Sequence, residues 1–126
     1  MKILIINLAL STDRLKFQQE QLTSLGLAFE RLEATSTTSL KKPADNQLLG
    51  WERPLRLVEL DCYLSHKSAW ERVCEVNEPV LILEDDALLS KHCKKVLKSL
   101  ENRSDADLIT LEIRSRKKII SREGEE

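Results

Sequence analysis

The sequence predicts an α/β fold in which helices cover a mainly parallel sheet. Two apolar, β-branched runs, at residues 2–8 and 79–83, are typical of strands buried on both faces. Segments with helical spacing separate the predicted strands, so the order is β-α-β, a long loop, then α-β-α-β. A strand–helix–strand order favours parallel pairing with a right-handed crossover. The 126 residues suit one domain, and we predict a single domain over residues 1–126.

The first β-α-β unit is predicted by three consecutive patterns. "KILIINL" (2–8) is the first buried strand. The following helix has apolar residues at helical spacing, Ser11 as its N-cap and Gly26 as its terminator. "LAFERLEA" (27–34) alternates in the manner of a second strand.

Residues 35–57 form a long segment without a period. They are rich in Ser and Thr and are interrupted by Pro43, Gly50 and Pro54. A loop of this length in a compact domain is often functional or mobile, with ordering expected when a ligand binds. A disordered insertion explains the composition equally well, and both readings stay open.

The second half of the chain returns to regular patterns. Residues 58–77 have a helical period, with an i,i+4 pair between Lys67 and Glu71. A strand "VLILE" (80–84), a short basic helix (90–102) and a last strand "ADLITLEI" (106–113) follow, before a charged tail at 114–126. The side of helix 58–77 expected to face the core carries Leu60, Leu64, Trp70 and Cys74, with Cys62, Ala69, Val73 and Val76 beside them.

Composition excludes several classes of protein. Twenty Lys and Arg residues against 21 Asp and Glu residues give a net charge of −1, with no general attraction for nucleic acid or anionic membranes. No apolar run approaches the ~20 residues that span a bilayer, and no signal-peptide pattern is present. Three cysteines without a CxxC pair support neither a disulfide framework nor a zinc site. These features predict a cytoplasmic protein with at most peripheral membrane contact.

Three carboxylates, Glu84, Asp85 and Asp86, follow the apolar strand directly. Ligands of open α/β sheets bind beyond the carboxyl ends of the strands, and strand alternation sends Glu84 and Asp86 one way and Asp85 the other. A divalent cation such as Mn²⁺ or Mg²⁺ relieves the repulsion and brings substrate phosphates with it. The acids alternatively end the strand in solvent or cap the helix near Ser90. The apolar residues 87–89 after the acids favour a partly buried metal–diphosphate site.

A receiver-type phosphoacceptor domain has a similar length and element order. Its chemistry also needs acidic residues after the first strand. Here that strand ends in Asn7-Leu8, and the next acid is Asp13. This class is therefore excluded.

Three segments in order, "IINLALSTDR" (5–14), "ELDCYLSHKSAWE" (59–71) and "PVLILEDDA" (79–87), resemble glycosyltransferase family 25, and residues 107–122 continue the likeness. This is the family of bacterial lipooligosaccharide galactosyltransferases and related collagen galactosyltransferases. The resemblance implies a GT-A type, Rossmann-like α/β/α sandwich. It further implies inverting transfer of a hexose, galactose above all, from a UDP-sugar to a glycan or lipooligosaccharide acceptor.

The resemblance also implies site residues. Glu84 and Asp86 correspond to the family's DxD-like motif and would hold the metal. The residues expected at the donor are Asn7, Leu8, Ser11, Arg14, Ser65, His66 and Asp85. Arg14 pairs with phosphate or is simply solvated, and His66 contacts the donor or is a packed, hydrogen-bonded side chain. Asp61 stands where the family has Gly, which alters the local approach of the backbone to a ligand.

The chain is shorter than the members of the family that it resembles. An inverting transfer needs a general base, and no residue of this sequence is identified as one, so the catalytic residues are unassigned. The alternative function is therefore a truncated or degenerate, non-catalytic nucleotide-sugar-binding module that needs a partner or a missing C-terminal half. Uncovered apolar surface would then favour a homo-oligomer.

Overall fold

The structure is a computed structural model that describes residues 1–36 and 55–112. Within these residues the chain forms a parallel three-stranded sheet and three helices, which confirms the predicted α/β class. In chain order the elements are β1 (Lys2–Asn7), α1 (Thr12–Ser24), β2 (Glu30–Glu33), α2 (Leu57–Val76), β3 (Val80–Glu84) and α3 (Cys93–Leu100). None of these helices has the length and apolarity needed to span a bilayer.

The sheet has the order β2-β1-β3, with β1 in the middle. Both pairings are parallel, so the carboxyl ends of the three strands lie at one edge of the sheet. At that edge Asn7 is paired with Glu33 and Ile6 with Glu84. The continuous apolar run of β1 is explained by its central position, because residues 3–7 are all buried.

The core packs α1 and α3 against the sheet. Leu22 of α1 and Cys93 and Leu97 of α3 lie on side chains of β1 and β3. Each buried aliphatic side chain contributes about 1.5–3 kcal/mol through the hydrophobic effect. The buried members of this cluster are Ile3, Ile5, Leu22, Leu83, Cys93 and Leu97.

The predicted ends of α1 are in part correct. Gly26 follows the helix with φ +63°, the left-handed conformation that glycine adopts without strain. Ser11 occupies the N-cap position, but its side chain makes no capping hydrogen bond. Its carbonyl instead accepts a hydrogen bond from the amide of Leu15.

The buried side of α2 differs from the predicted one. Leu60, Ser65 and Ala69 are buried, whereas Cys74 is exposed and Trp70 is 46% exposed. The prediction that Trp70 is a core residue is therefore wrong. The apolar residues of α2 do not mark its buried side, because α2 buries the small side chains of Ser65 and Ala69 together with Leu60. The predicted Lys67–Glu71 pair is present at 3.9 Å.

The last predicted strand is not formed. Residues 106–112 have no regular structure and are exposed, while Ile113 lies outside the described residues. Alternating apolar residues make a strand only where a neighbouring strand accepts their backbone hydrogen bonds, and within residues 1–36 and 55–112 this segment has none. Among the other predicted elements, β3 has the predicted bounds, α2 begins and ends one residue earlier than predicted, and the rest are shorter. Most of the predicted loop, at 37–54, and the tail at 114–126 lie outside the described residues.

Candidate functional site at the carboxyl edge of the sheet

The acids Glu84, Asp85 and Asp86, here called the acidic turn, lie where β3 ends. The amide of Ala87 donates to the carbonyl of Glu84 at 3.1 Å, which closes a β-turn. Burial follows the predicted alternation, because Glu84 and Asp86 are exposed and Asp85 is only 8% exposed. The acidic turn therefore presents two carboxylates to solvent and one to the protein.

Asp85 is bound by two side chains from the neighbouring β1–α1 segment. Nδ2 of Asn7 donates to Oδ2 at 2.8 Å, and Nη1 of Arg14 donates to Oδ1 at 3.0 Å. The hydrogen bond and charge of Asp85 raise the pKa of Arg14. Both carboxylate oxygens of Asp85 thus have a protein partner. These contacts offset the repulsion between Asp85 and the neighbouring carboxylates of the acidic turn.

Asn7 is also held by hydrogen bonds from the neighbouring strand β2. Nε of Arg31, on β2, donates to Oδ1 of Asn7 at 2.9 Å, and Nη2 of Arg31 donates to its carbonyl at 3.1 Å. The same guanidinium pairs with Glu33 at 2.6 Å. The network therefore crosses all three strands, from Glu33 through Arg31 and Asn7 to Asp85. Buried polar groups of this kind need such partners to avoid a desolvation penalty.

Two glutamines of α1 fix the chain after the acidic turn. Gln18 is fully buried, and its Nε2 donates to the carbonyls of Asp85 at 3.2 Å and Ala87 at 2.7 Å. Nε2 of Gln21 donates to the carbonyl of Ala87 at 3.1 Å, while its Oε1 accepts from the amide of Leu89 at 2.8 Å. Residues 85–89 are consequently anchored to α1 by side-chain bonds.

Glu84 points its carboxylate toward α2. Its Oε1 lies 3.0 Å from Nε2 of His66 and 3.8 Å from Sγ of Cys62. His66 is further flanked by the ring of Trp70, whose centroid is 6.2 Å away. The predicted hydrogen-bonded His66 is therefore observed, with a partner in the acidic turn.

The other predicted donor residues occupy different positions. Leu8 is exposed beyond β1, and its carbonyl accepts from the amide of Ser11 at 2.9 Å. Ser65 is buried, where its Oγ accepts from the amide of Thr35 at 2.9 Å and donates to the carbonyl of Asp61 at 2.7 Å. Asn7, Ser11, Arg14 and Asp85 are in direct hydrogen-bond contact, whereas Ser65 anchors the chain that follows β2. The donor contacts themselves stay predictions.

The exposed carboxylates fit a hard divalent cation. Asp86 is exposed, and its negative charge contributes to raising the pKa of Arg14. Glu84, two residues earlier in the chain, also has an exposed carboxylate. Oxygen ligands of this type suit Mn²⁺ or Mg²⁺. Asp85 is less accessible to an ion, because it is buried and its two oxygens accept hydrogen bonds from Asn7 and Arg14. Glu84 and Asp86 as metal ligands remain a prediction.

Sequence reasoning missed four participants in this region: Gln18, Gln21, Arg31 and Cys62. The glutamines fall on the inward face of α1 at i and i+3, a position where a polar residue needs a partner. Cys62 and His66 are at i and i+4 on α2, a spacing that was visible in the sequence.

The fold and this edge define a class of protein: an α/β domain with polar and acidic groups gathered at the carboxyl ends of parallel strands. Comparison with known proteins defines the family. The family described as glycosyltransferase family 25 (LPS biosynthesis protein) matches residues 1–124. The chain therefore belongs to glycosyltransferase family 25.

A relative of known family supports the same assignment. The chain is 36% identical over 95 residues to a protein named glycosyltransferase 25 family member from Anopheles gambiae. The aligned region covers 67% of this chain and 16% of that protein. It thus accounts for about a sixth of the relative's length.

Proposed function

We propose that this chain is the donor-binding part of a glycosyltransferase of lipooligosaccharide or lipopolysaccharide biosynthesis. It would bind a UDP-sugar and serve the inverting transfer of a hexose, galactose in particular, to a glycan acceptor. One observation carries the proposal: the acidic turn lies beside the β1–α1 segment at the ligand-binding edge of the sheet, in a chain that matches the family over residues 1–124.

The β1–α1 segment would bind the diphosphate. It leads into the 13-residue helix α1, whose N-terminal amides favour an anion. Arg14 stands in the first turn, and although Nη1 is bound to Asp85, its side chain is 60% exposed. A phosphate could therefore share the guanidinium without breaking the contact with Asp85.

Glu84 and Asp86 are the residues that would hold Mn²⁺ or Mg²⁺. When bound, such an ion neutralises negative charge on the departing diphosphate. Asp85 acts differently, because it fixes Asn7 and Arg14 on the β1–α1 side of the edge. The three acids thereby join the nucleotide side of the site to the metal side.

The proposal is tested first by binding. Calorimetry should show that UDP binds more tightly with Mn²⁺ than with EDTA, and Asp86→Ala should remove that difference. Asp107→Ala, at an exposed aspartate outside the acidic turn, is the matched control. Equal UDP affinity with and without metal in the unaltered protein would refute the metal assignment.

Turnover separates a transferase from a non-catalytic module with the same binding chemistry. No residue in 1–36 or 55–112 is assigned as the general base, so the alternative of a binding module that needs a partner is retained. UDP-galactose should be incubated with this chain and a glycan acceptor, with release of UDP as the readout. UDP release that depends on the acceptor supports the transferase, whereas metal-dependent binding without turnover supports the module.

A further inference from the structure

Three side chains with metal-binding atoms meet between α2 and β3. They are Cys62, His66 and Glu84, and one ligand atom from each lies within 4.8 Å of the others. Cys62 and His66 are four residues apart on α2, so both project from the same face of the helix. Glu84 comes from the end of β3 and closes the group from the sheet.

We propose that Cys62, His66 and Glu84 form a binding site for a borderline-soft transition-metal ion of the Zn²⁺ class. Thiolate, imidazole and carboxylate are the three ligand types that Zn²⁺ takes in proteins. Three protein ligands leave a fourth position for water or a substrate group, the arrangement of zinc sites that are open to chemistry.

The observed distances suit such an ion. With metal–ligand bonds near 2.0–2.3 Å, neighbouring ligand atoms of a tetrahedral shell lie roughly 3.5 Å apart. The separations of Glu84 Oε1 from His66 Nε2 and Cys62 Sγ, 3.0 and 3.8 Å, bracket that value. The third pair, Cys62 Sγ and the His66 ring nitrogen, lies within 4.8 Å, so side-chain adjustment is needed to bring all three atoms to one ion.

The group is both reachable and held in place. Cys62 is exposed, and the side chains of His66 and Glu84 are 29% and 47% exposed. The tilted ring of Trp70 restricts His66 on one side. Solvent can thus deliver an ion, while the helix and the strand end keep the ligands together.

This site should select different metal ions from the Mn²⁺ or Mg²⁺ site proposed at Glu84 and Asp86. Mg²⁺ and Mn²⁺ favour oxygen ligands, so a thiolate and an imidazole favour Zn²⁺ or Co²⁺ over them. The two assignments share Glu84, but Asp86 belongs to one and Cys62 and His66 to the other. The inference does not rest on the proposed function, because a metal ion alone is the ligand.

Binding of the ion must release a proton from Cys62. Partial desolvation of the exposed Cys62 raises the pKa of its thiol, and the charge and hydrogen bond of Glu84 raise it further. The ion would replace the thiol proton of Cys62 as the S–metal bond forms. Affinity for the ion should rise with pH.

Cobalt provides the test, because its spectrum reports thiolate ligation. Co²⁺ alone is titrated into the full chain, and a thiolate-to-cobalt charge-transfer band is expected in the near ultraviolet. Cys62→Ser should abolish the band and weaken Zn²⁺ binding by at least about tenfold, measured by competition with Co²⁺. Cys74→Ser is the matched control, because Cys74 is also exposed on α2, and it should keep the band.

Histidine variants and the acidic turn complete the test. His66→Ala should weaken Co²⁺ binding, whereas His92→Ala should not. Asp86→Ala should keep the band while losing metal-dependent UDP binding, which separates this site from the proposed function. Circular dichroism confirms that each variant is folded. The proposal is overturned if folded wild-type protein gives no band at saturating Co²⁺, or if the band survives Cys62→Ser.

Discussion

Asp85 and Asp86 are neighbours in the chain with opposite surroundings. Asp85 accepts hydrogen bonds from buried Asn7 and from Arg14, whereas Asp86 is exposed. Removing the Asp85 carboxylate leaves a buried amide donor without its acceptor, and that is the costly outcome for a hydrogen bond. The two residues therefore form a natural pair for separating structural from metal-binding roles.

We expect Asp85→Ala to lower the free energy of unfolding by roughly 1–3 kcal/mol, since Asn7 and Arg14 lose their shared partner. Asp86→Ala should change it by no more than about 0.5 kcal/mol, as exposed substitutions usually do. Urea denaturation of both variants measures this difference. Equal stabilities for the two variants would contradict the assigned role of Asp85.

The reactivity of Cys62 should depend on Glu84. Burial and then the Glu84 carboxylate raise the pKa of Cys62, and alkylation proceeds through the thiolate. In Glu84→Gln the charge is gone, so the pKa falls and the alkylation profile moves to lower pH. At pH 8 we expect a several-fold faster reaction with iodoacetamide at Cys62.

Peptide mass spectrometry follows Cys62 and Cys74 in the same sample. Cys74 serves as the internal control, and its rate should be the same in both proteins. A Cys62 profile that does not move in Glu84→Gln would show that the carboxylate has no electrostatic effect on the thiol.

At the scale of elements, α1 both covers the sheet and holds the segment after the acidic turn. Gln18 and Gln21 reach the backbone of residues 85–89 from the inward face of the helix. Because these bonds are made by side chains, single substitutions can loosen the segment without removing either element.

Gln21→Ala should speed hydrogen exchange at the amide of Leu89, which donates to Gln21 Oε1 at 2.8 Å. Loss of that bond exposes the amide to local opening, with an increase on the order of fivefold to tenfold for about 1 kcal/mol. Exchange monitored by NMR at Leu89 measures the effect. Gln19→Ala, at an exposed position of α1, should leave the rate unchanged.

Local patterns predicted the elements better than their contacts. The apolar run of β1 and the position of Gly26 have local physical causes, so the sequence shows them directly. The segment 106–113 shows the limit of local patterns, because alternating apolar residues do not show whether a partner strand lies beside them. Trp70 and Cys62 show a second limit of local patterns, because tertiary packing decides which face of α2 meets the sheet.

The features of the site also divide into those that local patterns predict and those that depend on tertiary contacts. Chain order and strand ends predicted the acidic turn at the carboxyl edge, and burial of Asp85 follows from alternation. Contacts between Asn7 and Asp85, 78 positions apart, depend on the sheet order and were not predictable from spacing. The same is true of the approach of Cys62 to Glu84.

At the scale of the whole molecule, apolar side chains remain exposed in the described residues. Leu108 and Leu111 lie in the irregular segment before residue 113, and Leu57 and Val58 open α2. Exposed apolar surface favours association. The predicted homo-oligomer therefore stays a prediction with a defined test.

Sedimentation velocity should show a concentration-dependent dimer or larger species in the micromolar range. Replacing Leu108 and Leu111 together with Ser should shift the population toward monomer, because less apolar surface is buried on association. Thr110→Ser, in the same segment, is the control. A wild-type protein that sediments as a monomer at all concentrations would contradict the prediction.

The central place of β1 has a consequence for synthesis on the ribosome. β1 is made before β2 and β3, but its pairing with β3 joins Lys2 to Val80, 78 positions later (80 − 2). After β2 ends at Glu33, about 50 further residues must be translated before β3 is complete at Glu84, which takes roughly 3–10 s at usual rates. During that interval one edge of a strand with four consecutive apolar residues has no partner from β3, and unpaired edges of this kind recruit other chains. The nascent protein is therefore most open to aggregation before α2 and β3 emerge, and its yield in cells should depend on how quickly this stretch is translated or how well chaperones shield β1.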